Sequence, residues 1–125
     1  MTVNALVASS EVLVPVNMTD EGALQGAAEV RAIVARLTRQ AAIGIRALVR
    51  TMVDRRRVVY QRMAEGLEDL RIPVAETEIP LTAAFQNAAA DRRPLLAARP
   101  DNAGAIAYWQ LARELLPPTA GGMTR

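Results

Sequence analysis

The sequence contains no cysteine and no histidine, and all fifteen of its basic residues are arginine. The first two absences exclude disulfides, thiolate chemistry, imidazole bases and the usual zinc sites. A metal site would have to rest on carboxylates, and the sequence shows no tight carboxylate cluster. The third absence excludes an ordinary Walker A loop within these 125 residues, because that loop needs a lysine to reach the β- and γ-phosphates. Aromatic residues make up only 3% of the chain, so the expected core is one of small aliphatic contacts, with Trp109 and Phe85 as its few large pieces. No stretch approaches the roughly 18 uninterrupted apolar residues of a membrane span, and no charged region followed by an apolar block opens the chain. A cytoplasmic protein without a membrane partner is expected.

Apolar residues account for 51% of the sequence, much of it alanine. A chain of this size buries roughly two-thirds of the surface that its unfolded form exposes, enough for one small core. Net charge is only +2, but it is segregated. Residues 1–30 carry −4, residues 31–62 carry nine arginines against Asp54 alone for +8, and residues 63–125 carry −2. The plain explanation for arginine in place of lysine is a compositional bias of the source genome. A central block of +8 exceeds what a uniform bias produces, and it points to an anionic partner, with nucleic acid the first candidate.

Thr2 to Ala8 reads as a short buried helix or the end of one. Glu11 to Val16 is an apolar, β-branched run of strand length, as in a parallel strand covered on both faces. Thr19-Asp20-Glu21 is a helix start, with Thr19 as cap and two acids where the helix dipole favours them. Leu24, Ala27, Val30, Ile33, Val34 and Leu37 then recur at three- and four-residue steps to about Arg39, leaving Arg31, Arg36 and Arg39 toward solvent. Ile43 to Met52 is a second strand. Arg55 to Leu70 is a second helix, with Val58, Val59, Met63, Leu67 and Leu70 on its inner side. Residues 72–80 hold a third, short strand ending at Pro80. Ala83–Ala90 and Ala103–Leu116 are the last helices, the second stopped by Pro117-Pro118. Strands alternating with helices predict an α/β fold, a partial parallel sheet with flanking helices.

Three segments, in order, resemble the ParA/MinD class of deviant Walker ATPases, and the ParA partition branch more than the MinD branch. Residues 2–16 (TVNALVASSEVLVPV) are similar to the helix and strand that follow the family's Walker B segment. Residues 48–57 (LVRTMVDRRR) are similar to the strand end and basic turn that the family places beside adenine. Residues 78–85 (EIPLTAAF), Arg93-Pro94 and residues 99–108 (RPDNAGAIAY) are similar to its closing turns and last helix start. The resemblance covers about Thr2 to Leu116. It implies that residues 1–116 are the C-terminal half of a P-loop NTPase (ParA-like) domain, with 117–125 a flexible tail. The Walker A loop and the Walker B aspartate of that family would precede Met1. Two departures stand out: the arginine that often follows the family's Ile-Pro pair is Leu81 here, and Arg46 and Arg50 occupy strand positions usually apolar.

By the same resemblance Thr51 and Pro80, at the ends of two strands, line the adenine side of a nucleotide pocket, the rim where open α/β sheets bind ligands. Without a phosphate-binding half they serve only as a strand end and a chain turn. ATP and magnesium belong to the complete fold, and none is expected for this chain alone. Arg50, Arg55, Arg56, Arg57 and Arg62 are the candidate DNA-binding residues, with Arg56 the best match. Arginine suits phosphate because its planar fork donates two bonds to one group, and three such charges at a helix start are unfavourable to the helix dipole. Asp54, Glu76 and Glu78 are too few for a general acid/base pair.

The complete family member is implied to be a DNA-partitioning or cargo-positioning ATPase, nucleoid-associated, whose ATP-bound homodimer binds DNA non-specifically and answers to a ParB-like adaptor. This chain would contribute the DNA-facing and dimer-facing portion beside the missing N-terminal half. The alternatives are a truncated, ATP-independent DNA-binding or dimer-interfering regulator, and a non-functional partial product. A MinD-like membrane role is disfavoured, since Pro117–Arg125 cannot form an amphipathic helix.

Overall fold

A computed structural model describes residues 10–39 and 42–116, so the segments assigned above to a helix at Thr2–Ala8 and to a tail at 117–125 lie outside the described residues. The element order is β1 (Glu11–Asn17), α1 (Ala23–Leu37), β2 (Gly44–Thr51), α2 (Val58–Leu70), α3 (Ala84–Ala90), α4 (Leu95–Ala98) and α5 (Ala103–Leu115). β1 and β2 pair in parallel, Glu11 opposite Gly44 and Asn17 opposite Thr51, with one irregularity between Val12 and Leu13. Helix α1 makes the crossover that a parallel pair requires.

Alternation along β2 divides the core in two. Leu48 joins Val14, Val16 and Met18 on one face, where α1 and α2 supply Ala27, Tyr60, Met63 and Leu67. Ala47 and Val49 point to the other face, against Ala75, Ile79 and the α5 residues Ala107 and Leu111. The largest fully buried side chains are Met18, Leu48, Met63 and Val16. Trp109 is therefore not a core piece: it is 53% exposed, and Phe85 is only half-buried. Trp109 lies on the side of α5 opposite the buried Ala107–Leu111 edge, and spacing within one helix turn decides this rather than side-chain size.

The third strand expected over residues 72–80 is an extended segment with two isolated parallel bridges, Leu48–Val74 to β2 and Val53–Pro80 to the turn just after it. It follows the outer side of β2: Leu48 N donates to Pro73 O at 2.8 Å, and Ile79 N to Arg50 O at 2.9 Å. Pro73 and Pro80 have no amide to give a ladder. The amides of Glu76 and Thr77 are taken instead by the carboxylate of Glu114, at 2.7 and 2.9 Å.

Thr19 does not cap α1. Its amide and hydroxyl both donate to Asn17 Oδ1, at 2.9 and 2.7 Å, while Asp20 Oδ1 accepts from Gly22 N and the helix opens at Ala23. Helix α2 starts at Val58, three residues later than expected, with Arg57 as its extended N-cap residue. Val58 is consequently 72% exposed, and Tyr60, 5% exposed, takes the inner position expected of it. The short helix α4 was not foreseen in the alanine- and arginine-rich stretch after Asp91. At the start of α5, Asn102 accepts from Gly104 N at 2.8 Å, a side-chain N-cap.

Candidate functional site

Strand β2 ends at Thr51, and the chain then turns sharply. Met52 has a left-handed backbone (φ 53°), unusual for a residue with a side chain. Val53 N then donates to Ile79 O and Leu81 N to Val53 O, both at 3.0 Å, so the turn after β2 and the 79–81 segment are laced together. Both expected rim residues meet there. Thr51 and Pro80 line an open, mainly apolar groove of about 400 Å³ with Met52, Leu81, Phe85 and Tyr108. Phe85 and Tyr108 meet edge to face, ring centres 5.7 Å apart. Gly104 makes this possible: a Cβ there would lie 2.6 Å from the Phe85 ring. Met52 and Tyr108 were not singled out from the sequence as groove residues. The only signal for Met52 was its place as the last residue of the expected strand, which the structure ends one residue earlier, at Thr51.

On the other side of Pro80 and Leu81 lies a second, more polar groove of about 500 Å³, lined by Asp54, Arg55, Arg56, Glu78 and Gln110. The arginine run stands on its edge. Arg55, Arg56 and Arg57 have exposed side chains, 67%, 90% and 52% accessible, each paired with an acid. Arg55 Nε donates to Glu78 Oε1 at 2.8 Å, and its guanidinium sits 5.7 Å from the Tyr60 ring centre. Asp54 holds the other two: Oδ1 accepts from the Arg56 amide (3.1 Å) and Nε (3.0 Å), Oδ2 from Arg56 Nη2 (3.2 Å), and Arg57 Nε lies 3.5 Å from Oδ2. The hydrogen bonds from Arg56, with the positive charges of Arg56 and Arg57, lower the Asp54 carboxyl to about 2.

The two remaining candidate arginines stand apart. Arg62, one turn into α2, is exposed and pairs with Glu21 at 3.1 Å. Arg50 is turned inward, only 17% exposed; Nη1 forms an ion pair with Glu78 Oε2 at 2.8 Å, and Nη2 donates to the carbonyls of Ala75 and Glu76 at 2.9 and 3.1 Å. It ties β2 to the segment that lacks a regular ladder. Arg46, the other strand arginine, donates to Leu115 O at 2.8 Å. Glu78 is the hub, accepting from Arg55 and the Tyr60 hydroxyl and ion-paired with Arg50. Burial pushes its carboxyl up, but the hydrogen bonds from Arg55 and Tyr60 and the charges of Arg50 and Arg55 outweigh burial and leave it below the usual range. Burial and the bond to Glu78 push the Tyr60 hydroxyl up. Tyr60 was invisible as a partner because contact between α2 and residue 78 is tertiary.

Among the described residues no group of three or more acidic side chains is arranged to hold a metal ion, and no helix is long and apolar enough to cross a membrane. Chemically, the site offers an apolar groove at a strand rim beside a fan of exposed guanidinium groups.

No family model matches this sequence, and no curated protein matches it. Solved structures do. The chain is similar to the cell-division ATPase MinD of Pyrococcus furiosus, with a TM-score of 0.73 and 19% identity over 90% of this chain and 44% of that one. It is also similar to cobyrinic acid a,c-diamide synthase from Mycobacterium smegmatis, solved with bound ADP and magnesium, with a TM-score of 0.63 and 20% identity over 94% of this chain and 46% of that one. The chain spans less than half the length of either. The likeness is one of fold: this is an α/β chain with a two-stranded parallel sheet and flanking helices, an architecture that it shares with these two structures.

Proposed function

We propose that this chain is the adenine-side and DNA-facing part of a ParA-type partition or cargo-positioning ATPase. The observation that carries the proposal is an adjacency. Thr51 and Pro80 wall one groove at the strand rim, and the exposed Arg55–Arg57 turn borders the next, with Pro80 and Leu81 common to both. Non-specific DNA is the anionic partner, bound through Arg56 and Arg57 with help from Arg55 and Arg62; Arg50 supports the turn from within. ATP and magnesium would be bound by the complete fold, as a homodimer that answers to a ParB-like adaptor and associates with the nucleoid. The partition branch is favoured over a membrane-bound one by the sequence of the three matching segments.

A second reading is an ATP-independent DNA-binding or dimer-interfering regulator; it is favoured by the Arg55–Arg57 turn, which is held by Asp54 and Glu78 of this same chain without a phosphate-binding loop. Both readings require the arginine turn to bind DNA. Replacing Arg55, Arg56 and Arg57 with alanine should weaken binding to random-sequence duplex at low salt and reduce the slope of log K against log salt by about 2 to 3, roughly 0.9 for each phosphate that is no longer neutralised. An unchanged slope would sink the assignment. ATP separates the two readings in the complete fold, where the ATPase reading requires nucleotide-dependent DNA binding; this chain alone should bind DNA without a nucleotide effect under either reading.

A further inference from the structure

Asp54 is an odd residue to find among cations that bind polyanions. Its charge opposes the partner, yet it is the most heavily used acceptor of the turn. Both carboxylate oxygens are bonded to Arg56, at Nε (3.0 Å) and Nη2 (3.2 Å), and Oδ1 also accepts the Arg56 amide (3.1 Å). Oδ2 lies 3.5 Å from Arg57 Nε. The carboxylate itself is only 17% exposed, while the Arg56 side chain it grips is 90% exposed. An exposed arginine ordinarily samples many rotamers, and fixing such a side chain on binding costs affinity. Here one guanidinium edge is clamped to a recessed carboxylate, and three of its five N–H donors remain to face outward.

We propose that Asp54 is a positioning residue for polyanion binding: it holds Arg56 and Arg57 in a pre-ordered fan, so that phosphate contacts form with little further ordering. The proposal rests on the reading of the arginine turn as a DNA-binding surface. It makes a prediction opposite to simple charge counting. Asp54→Asn raises the net charge of the chain from +2 to +3, which by Coulomb attraction alone strengthens DNA binding. Asn keeps an oxygen for the Arg56 amide, so the turn is retained, but it cannot grip the guanidinium with two charged acceptors.

The test is fluorescence anisotropy of the full chain with a short random-sequence duplex over a salt series, alongside thermal melts. Asp54→Asn is expected to bind about two- to tenfold more weakly than wild type at every salt concentration. Its log–log slope should stay as in wild type, because the number of arginines is unchanged. Arg56→Ala, by contrast, should lower the slope by about 1. Equal or tighter binding by Asp54→Asn overturns the positioning role while leaving the DNA-binding surface standing. Should wild type and the triple arginine variant show the same affinity and slope, the surface assignment fails, and the positioning role with it. Where Asp54→Asn melts lower than wild type, Arg56→Lys decides: it keeps Asp54 and the charge but loses the two-bond clamp. It should lose affinity to a similar degree at constant slope, and unchanged affinity overturns the proposal.

Discussion

Replacing Glu78 with alanine should cost far more stability than losing a surface acid. The carboxylate is 14% exposed and its partner Arg50 17% exposed, so the pair is nearly withdrawn from water. Arg50 Nε already lacks a hydrogen-bond partner. Without Glu78, Nη1 is deprived of its nearest acceptor, and Nη2 keeps the carbonyls of Ala75 and Glu76. Removing one partner of a fully buried pair costs roughly 3–5 kcal/mol. Residual exposure and the retained carbonyls reduce this to about 2–3 kcal/mol, since partly solvated charges are screened. For a chain of this length the melting temperature should fall by about 8–12 °C. The assay is thermal and urea unfolding of wild type, Glu78→Ala, Arg50→Met and the double variant Arg50→Met/Glu78→Leu. The double variant should recover much of the loss, because an apolar pair leaves no stranded charge, with a coupling of at least about 1.5 kcal/mol. A Glu78→Ala variant within about 0.5 kcal/mol of wild type, or a cycle without coupling, would refute the reasoning.

Gly104→Ala places a methyl group 2.6–2.8 Å from the Phe85 ring, so the ring must shift and its edge contact with Tyr108 must break. Overpacking of this kind costs about 1–3 kcal/mol and should show as a lower urea midpoint together with an altered near-ultraviolet tyrosine signal; an unchanged midpoint would show that the ring moves without cost. Acid should also unfold the chain progressively. Asp54, Glu78 and Glu114 all have carboxyl values lowered in the folded state, so their stabilisation is complete above the unfolded value near 4 and is lost as pH falls. For Asp54 the window runs from about pH 4 down to about 2, and Asp54→Asn should flatten the stability curve there; parallel curves for variant and wild type would contradict the assignment.

Much of the fold was legible in local pattern. The β-branched run at Glu11–Val16, the three- and four-residue apolar repeat of Leu24 to Leu37 and the run at Ile43–Met52 correspond to β1, α1 and β2 within a few residues. These depend on periodicity, which a chain carries along its own length. Departures came where a distant group decided. Residues 72–80 have strand-like composition, but two prolines and the reach of Glu114 from α5 leave only two bridges. Trp109 looked like core by size, and its position on α5 turned it to solvent.

By itself the sequence determined three things: no lysine for a Walker A loop, no cysteine or histidine for redox or zinc chemistry, and a concentration of arginine in residues 31–62. Tertiary structure alone decided what each arginine does. Arg50 and Arg56 are six residues apart and alike in sequence, yet one is 17% and the other 90% exposed. The cause is packing: Arg50 lies within β2, where Glu78 and the carbonyls of Ala75 and Glu76 compensate its burial, while Arg56 projects from a turn with only Asp54 to hold it. Charge can be counted along a chain, but the solvation and partners that give it an effect are set by residues brought together from far apart.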